Sequence, residues 1–168
     1  PWGEQNGQPV FRLWPYFFLP ELSARATKDK ASWYSWQAKG HMRLTAGNST
    51  DYTLLRETLK GCHKKFNVCA PVAYDKKFAE SFSQQMEIED GIAREEFPQS
   101  PNHFIEPMEL FMSAIMDRRL QHPNNEVLNW QAGNATKDAK NGMLDKPRGE
   151  PVKKVDGIVA AVMAVGRA

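Results

Sequence analysis

Cysteine is nearly missing from this sequence: only Cys62 and Cys69 occur in 168 residues. That excludes a disulfide-stapled secreted scaffold, and their spacing fits neither a zinc ribbon nor a CxxC redox motif. Both read as small reduced hydrophobes. No apolar run approaches the roughly 18 residues of a membrane span; the longest, residues 158–165, is short and rich in alanine. There is no signal-peptide pattern, and Pro1 is not an initiator residue, so the chain reads as a fragment or a processed product. A Walker-type glycine loop is also lacking, which excludes a P-loop ATPase within these residues. Internal repeats and low-complexity tracts are absent. The four histidines, His41, His63, His103 and His122, show no HxH or HxxxH spacing, so each reads as a packed or surface residue. Nor does charge of one sign prevail, since 22 Lys and Arg against 20 Asp and Glu leave a net +2. These absences point to a reducing, cytoplasmic compartment and no membrane association.

What is present suits a single domain over residues 1–168. Hydrophobic residues make up 41%, aromatics 11% and charged residues 25%, the proportions of an ordinary globular protein. A chain of this size buries about two-thirds of its unfolded surface. Residues 10–19, rich in aromatics and bounded by Pro9 and Pro20, predict a strand in which Pro15 marks an edge or a bulge. Residues 21–39 predict a helix in one or two pieces, stopped by Gly40. A short strand over 42–45 precedes a helix capped by Thr50 and running to about Lys65, with Leu55, Leu59 and Cys62 on its inner face. Residues 67–74 form an apolar run expected to be a central strand. A helix from Lys76, with Phe78, Phe82 and Met86 facing inward, ends at Gly91, and residues 92–97 predict another strand. Ser100-Pro101 signals a helix start; its apolar positions continue through Met112, Ile115 and Met116 to Leu120, and Pro107 threatens a kink. A turn at residues 122–124 leads to a short helix, residues 135–150 to a loop or hairpin, and residues 154–167 to a last helix. This order predicts an α/β domain with a mixed sheet.

Charge is unevenly spread. Residues 75–109 hold nine acids and three bases, whereas residues 137–154 hold six bases and three acids. Such asymmetry fits either a nucleic-acid-facing side or two solvated faces. Asp75 follows the central strand, at the end where ligands gather in open α/β sheets; equally, it suits a helix N-cap. Asp156 opens a helix of small apolar residues, where the helix dipole favours a carboxylate. Two carboxylates meeting there would suit hard divalent cations. Asn134 and Asp138 flank the basic loop as substrate contacts or turn residues. The sequons at Asn48 and Asn134 read as chance. The aromatics Phe11, Trp14, Tyr16, Phe17 and Phe18 could stack bases or form a strand core.

Five segments in order carry a more specific signal. Tyr16-Phe17-Phe18-Leu19-Pro20-Glu21 is an aromatic strand exit; residues 44–48 with Asp51-Tyr52 form a turn and helix start; Val72-Ala73-Tyr74-Asp75 is a strand ending in Asp. Arg119-Leu120-Gln121-His122 with residues 124–130 and Asn134 follows, and Lys154-Val155-Asp156-Gly157 opens the closing helix through residues 164–168. Together they resemble the C-terminal nuclease domain of the large terminase subunit of tailed bacteriophages, over nearly the whole chain. The resemblance implies an RNase H-like mixed sheet flanked by helices, lacking the family's first strand. It implies a metal-dependent endonuclease cutting concatemeric double-stranded viral DNA with two Mg²⁺ or Mn²⁺ ions. Asp75 and Asp156 then match metal-binding catalytic positions, while His122, Asn134, Asp138 and Lys146 match lesser, substrate-contacting ones. The family's first metal-binding Asp and its ATPase domain would lie upstream of Pro1, and Glu4 is a poor substitute for that Asp. Implied partners are double-stranded DNA, the ATPase domain, the small terminase subunit and the portal protein. Two other readings stand beside it: a non-catalytic DNA- or portal-binding remnant, and an RNase H-like resolvase or transposase.

Overall fold

A computed structural model of the chain describes residues 2–27, 30–67, 70–145 and 153–168. Strands β1 (Gly3–Gln5) and β2 (Gln8–Arg12) form an antiparallel hairpin, and β2 also pairs in parallel with β7 (Leu120–Gln121). β3 (Phe18–Pro20) runs parallel to β4 (Arg43–Thr45), and β5 (Val72–Tyr74) runs parallel to β6 (Arg94–Glu96). A small hairpin, β8 (Thr136–Lys137) and β9 (Leu144–Asp145), completes the strands among the described residues. The helices are α1 (Glu21–Ala26), α2 (Lys30–Ala38), α3 (Tyr52–Phe66), α4 (Lys76–Asp90), α5 (Pro101–Met116), α6 (Glu126–Asn134) and α7 (Asp156–Gly166). The mixed α/β architecture is the one the element order predicts.

The main core lies where α5 and α7 pack on each other and on β2. Phe104, Ala114 and Val162 are fully enclosed there with Phe11, Phe97 and Phe111. Close approach is possible because Gly166 of α7 sits on Pro107 of α5; an added Cβ would stand 2.7 Å from the proline Cβ. Pro107 therefore lies inside α5 as a packing surface rather than delaying the helix. A second core gathers Ala24, Trp33, Met42 and Val127, with Trp33 edge-on to both Trp36 and Trp130.

Several boundaries differ from the sequence reading. The strand expected over 10–19 is broken: β2 ends at Arg12 and β3 begins at Phe18, with Pro15 in the unpaired stretch, where it has no ladder hydrogen bond to lose. Asp51, not Thr50, caps α3, accepting from the amides of Thr53 and Leu54 at 2.9 and 3.1 Å. Asn67 is the left-handed end of that helix, so the central strand shrinks to β5; Val68 and Cys69 lie outside the described residues. Phe78 is 72% exposed, leaving Met86 as the buried anchor of α4. α5 stops at Met116, and Leu120 belongs to β7. Met112, Ile115 and Met116 face outward.

Candidate active site

Asp75 leaves the carboxyl end of β5, half-buried, and caps α4: its Oδ1 accepts from the Lys77 amide at 2.9 Å. Both sequence readings of this residue, strand end and helix cap, thus describe the same position. In the ladder, Tyr74 pairs with Glu96, whose carboxylate meets Lys76 at 3.2 Å. The acidic surplus around it is largely ion-paired. Arg94 bonds Glu80 at 2.8 Å and Glu87 at 3.0 Å. Those bonds hold the Glu80 carboxyl below its ordinary range, while the Tyr74 hydroxyl, bonded to Glu80, is pushed up.

Asp156 is the first residue of α7 and is exposed. Val155 at the cap position has no side-chain acceptor, so the first turn needs another partner for its amides. α6 provides it. Gln131 Oε1 accepts from the Gly157 amide at 2.5 Å, and Asn134 Nδ2 donates to the Lys154 carbonyl at 3.1 Å. Both side chains are buried. At i and i+3 they share one face of α6, and together they clamp the turn that presents Asp156. The burial of Asn134 also accounts for its sequon as coincidence. Sequence reasoning found Asn134 but missed Gln131; the i, i+3 spacing is the one local signal that points to it.

α7 separates the two aspartates' surroundings. Asp156 stands at its first residue, and it is the last turn, roughly 15 Å along the helix axis, that lies against β6, the ladder partner of Asp75's strand. There Gly166 approaches Phe97, and Arg167 meets Glu95 at 2.9 Å. His122 is exposed on the wall of an apolar groove of about 700 Å³ between α5 and α6. Asp138 Oδ1 accepts from the Lys140 and Asn141 amides at 2.7 and 3.3 Å, turning the β8–β9 hairpin. Lys146 lies outside the described residues. No three His, Cys, Asp or Glu side chains cluster as a metal site among the described residues. Asp75 and Asp156 each offer one carboxylate on an element end, a donor type that suits a hard cation, whose usual shell is about six oxygens. No helix among the described residues is long and apolar enough to cross a membrane.

Residues 8–168 match the family model of the terminase large subunit, endonuclease domain. The chain is 28% identical over 165 residues to the terminase large subunit of Enterobacteria phage HK97, covering 95% of this chain and 32% of that protein. It is 29% identical over 164 residues to Protein YmfN of Escherichia coli strain K12, covering 92% of this chain and 35% of that protein. The crystal structure of the HK97 bacteriophage large terminase superposes with a TM-score of 0.78 at 26% identity, over 98% of this chain and 35% of that one. The chain thus spans about a third of the length of the relatives it matches.

Proposed function

The chain belongs to the family of terminase large subunit endonuclease domains, and from that premise we propose that it cleaves concatemeric double-stranded viral DNA during genome packaging. The observation that carries this reading is the family match over residues 8–168, together with a superposition at TM-score 0.78. On this reading Asp75 and Asp156 are the metal-holding carboxylates. Mg²⁺ or Mn²⁺, when bound, supplies Lewis acidity toward the phosphate and an activated water at neutral pH. The protein's part is to fix the donors. The Lys77 amide orients Asp75; Gln131 and Asn134 hold the turn of Asp156. Asn134 is buried on the Lys154 carbonyl and on this reading acts as a positioning residue, whereas exposed His122 is the candidate for contact with DNA. Double-stranded DNA, an ATPase domain, a small terminase subunit and a portal protein are the partners this role requires.

The test is supercoiled plasmid incubated with the full-length protein that carries this domain, together with Mn²⁺ or Mg²⁺: nicked and linear forms are expected, and chelation should abolish them. A second reading, a non-catalytic DNA- or portal-binding module, is favoured by the lack of a three-ligand cluster among the described residues. Calorimetric titration with Mn²⁺ separates the two. Binding of two ions supports the nuclease; DNA binding without any ion uptake supports the module.

A further inference from the structure

The side chains at the carboxyl end of the β5–β6 pair divide between its two faces. Tyr74 and Arg94 join Glu80 on the α4 face, where Lys76 meets Glu96 at 3.2 Å. The ladder partners Ala73 and Glu95 lie on the other face, and there Ala73 and Phe97 pack into the core shared with α7. Asp75 keeps an extended backbone and falls on that face as well, because side chains alternate along a strand. A strand spacing of about 4.8 Å and a rise of about 3.3 Å per residue set its Cα roughly 8 Å from that of Glu95.

α7 brings a cation to this face. Gly166 has no side chain, so the last turn lies on Pro107 and Phe97, and the next residue, Arg167, reaches Glu95. Its Nη2 stands 2.9 Å from Glu95 Oε1 and 3.5 Å from the Glu96 carbonyl, and its guanidinium lies 5.1 Å from the Phe97 ring centroid. These contacts fix the plane of the group through one nitrogen. Nε and Nη1 meet no acceptor among the described residues, and the side chain is 37% exposed.

A planar guanidinium with donors to spare, held beside a carboxylate at the strand end where ligands gather, is suited to a two-point grip on a phosphate. We propose that Arg167 contacts a backbone phosphate of double-stranded DNA next to the phosphate that Asp75 serves. The inference deepens the nuclease reading, on which it rests for the meaning of Asp75. Its main test reads binding alone, so the two can fail separately.

The experiment is fluorescence anisotropy of a labelled blunt duplex titrated with the full-length protein that carries this domain, in chelator so that no strand is cut, over a range of salt. Arg167→Gln should weaken binding about tenfold, the scale of losing a charged hydrogen-bond donor. It should also flatten the slope of log affinity against log salt by about one, the mark of a single lost phosphate contact. Arg167→Lys should keep the slope and recover only part of the affinity, because an ammonium lacks the fork. Glu95→Gln separates a phosphate contact from a tether between α7 and β6. It keeps the cation and an acceptor but removes a carboxylate that competes with phosphate, so duplex affinity should hold or rise. In cleavage of the same duplex with Mn²⁺, Arg167→Gln should raise KM more than it lowers kcat. Duplex affinity and salt slope unchanged in Arg167→Gln overturn the proposal. So does an equal loss of affinity in Glu95→Gln, which would make the pair a tether. Where Arg167→Gln does not fold, Arg167→Lys at full wild-type affinity overturns it instead. A wild type that binds but never cuts sinks the nuclease reading, and the salt slope of Arg167→Gln still decides this contact.

Discussion

The buried Gln131 side chain of α6 caps α7 from outside, its Oε1 accepting from the Gly157 amide. Gly157 has no room for more. An added Cβ would stand 2.5 Å from Phe17 Cε1 and 3.0 Å from Gln131 Oε1. A residue 26 positions away therefore does the work that a Ser or Asp at the cap position ordinarily does. Because that contact needs a bare Cα, the glycine and the glutamine form one unit that fixes where Asp156 stands.

Gly157→Ala should therefore destabilise the fold by about 1–3 kcal/mol, the usual range for overpacking. Gly61→Ala is the counterpart. Gly61 lies inside α3, is exposed, and has nothing within 4 Å of a built Cβ. Alanine there should stabilise by about 0.5–1 kcal/mol through helix propensity alone. Thermal melts of the two variants should move in opposite directions; a Gly157→Ala melt at the wild-type temperature would remove the tight contact from the argument.

Arg119 makes a second test of buried polar architecture. It is 3% exposed, and donates to the Pro9 carbonyl at 2.8 Å, to Ser113 Oγ at 2.9 Å and to Asp117 at 3.0 Å. These bonds tie the start of β2 to the end of α5. Asp117 is largely exposed and regains water if released, but the Pro9 carbonyl loses a charged donor. Arg119→Met should cost about 1.5–3 kcal/mol, measured by denaturant unfolding. Arg119→Lys should recover little, since an ammonium lacks the planar fork that reaches several acceptors at once.

How much of this was legible beforehand follows from the range of each interaction. Helix starts and stops are local, so Ser100-Pro101 and Gly91 read correctly, and the helix over 21–39, left open as one piece or two, proves to be two, α1 and α2. Asp75 and Asp156 stood out because both terminate elements, and the ordered segments around them point to the family. Strand pairing is not local: residues 13–17 carry the right side chains for a strand, and only Pro15 hints that the ladder breaks between Leu13, still bonded to Gln121, and Phe17, bonded to Arg43. The direction of a helix face depends on what packs against it, so Phe78 and Met116 read as core and lie in water. Gln131 was missed for the same reason: apart from its i, i+3 spacing to Asn134, nothing local marks it, since its acceptor meets an amide on another helix.

The α3–α4 ion pair predicts an acid-sensitive step. Arg56 grips Asp90 through Nε and Nη2, and reaches Glu89 at 2.5 Å, while Lys60 approaches Asp90 at 3.4 Å. The Arg56 hydrogen bonds, ahead of the Lys60 charge, hold the Asp90 carboxyl below its ordinary range. In the unfolded chain the same group takes up its proton near pH 4. Its contribution is therefore complete above about pH 4 and is lost as pH falls through the lower folded value. Melting temperatures of wild type and Asp90→Asn should differ near neutrality and converge as the solution is acidified below pH ~4. A gap that stays constant to low pH would show that Asp90 contributes through packing instead.

Asp75 has two separable uses, and one substitution divides them. As a cap it needs an oxygen that accepts from the Lys77 amide; as a metal ligand it needs a negative charge. Asparagine and aspartate cap helices about equally well, whereas alanine costs about 0.5–2 kcal/mol. Asp75→Asn should therefore melt close to wild type, and Asp75→Ala measurably lower. Divalent-ion-dependent plasmid cleavage should fall by about a hundredfold or more in both, the scale of losing a group that acts on the transition state. Asp156→Asn should behave like Asp75→Asn in activity, with only the small loss of a helix-dipole contact, about 0.3–1 kcal/mol, in stability. If Asp75→Asn cleaves at the wild-type rate while Asp75→Ala merely melts earlier, Asp75 is a cap and nothing more, and the carboxylates that act on DNA must be sought elsewhere.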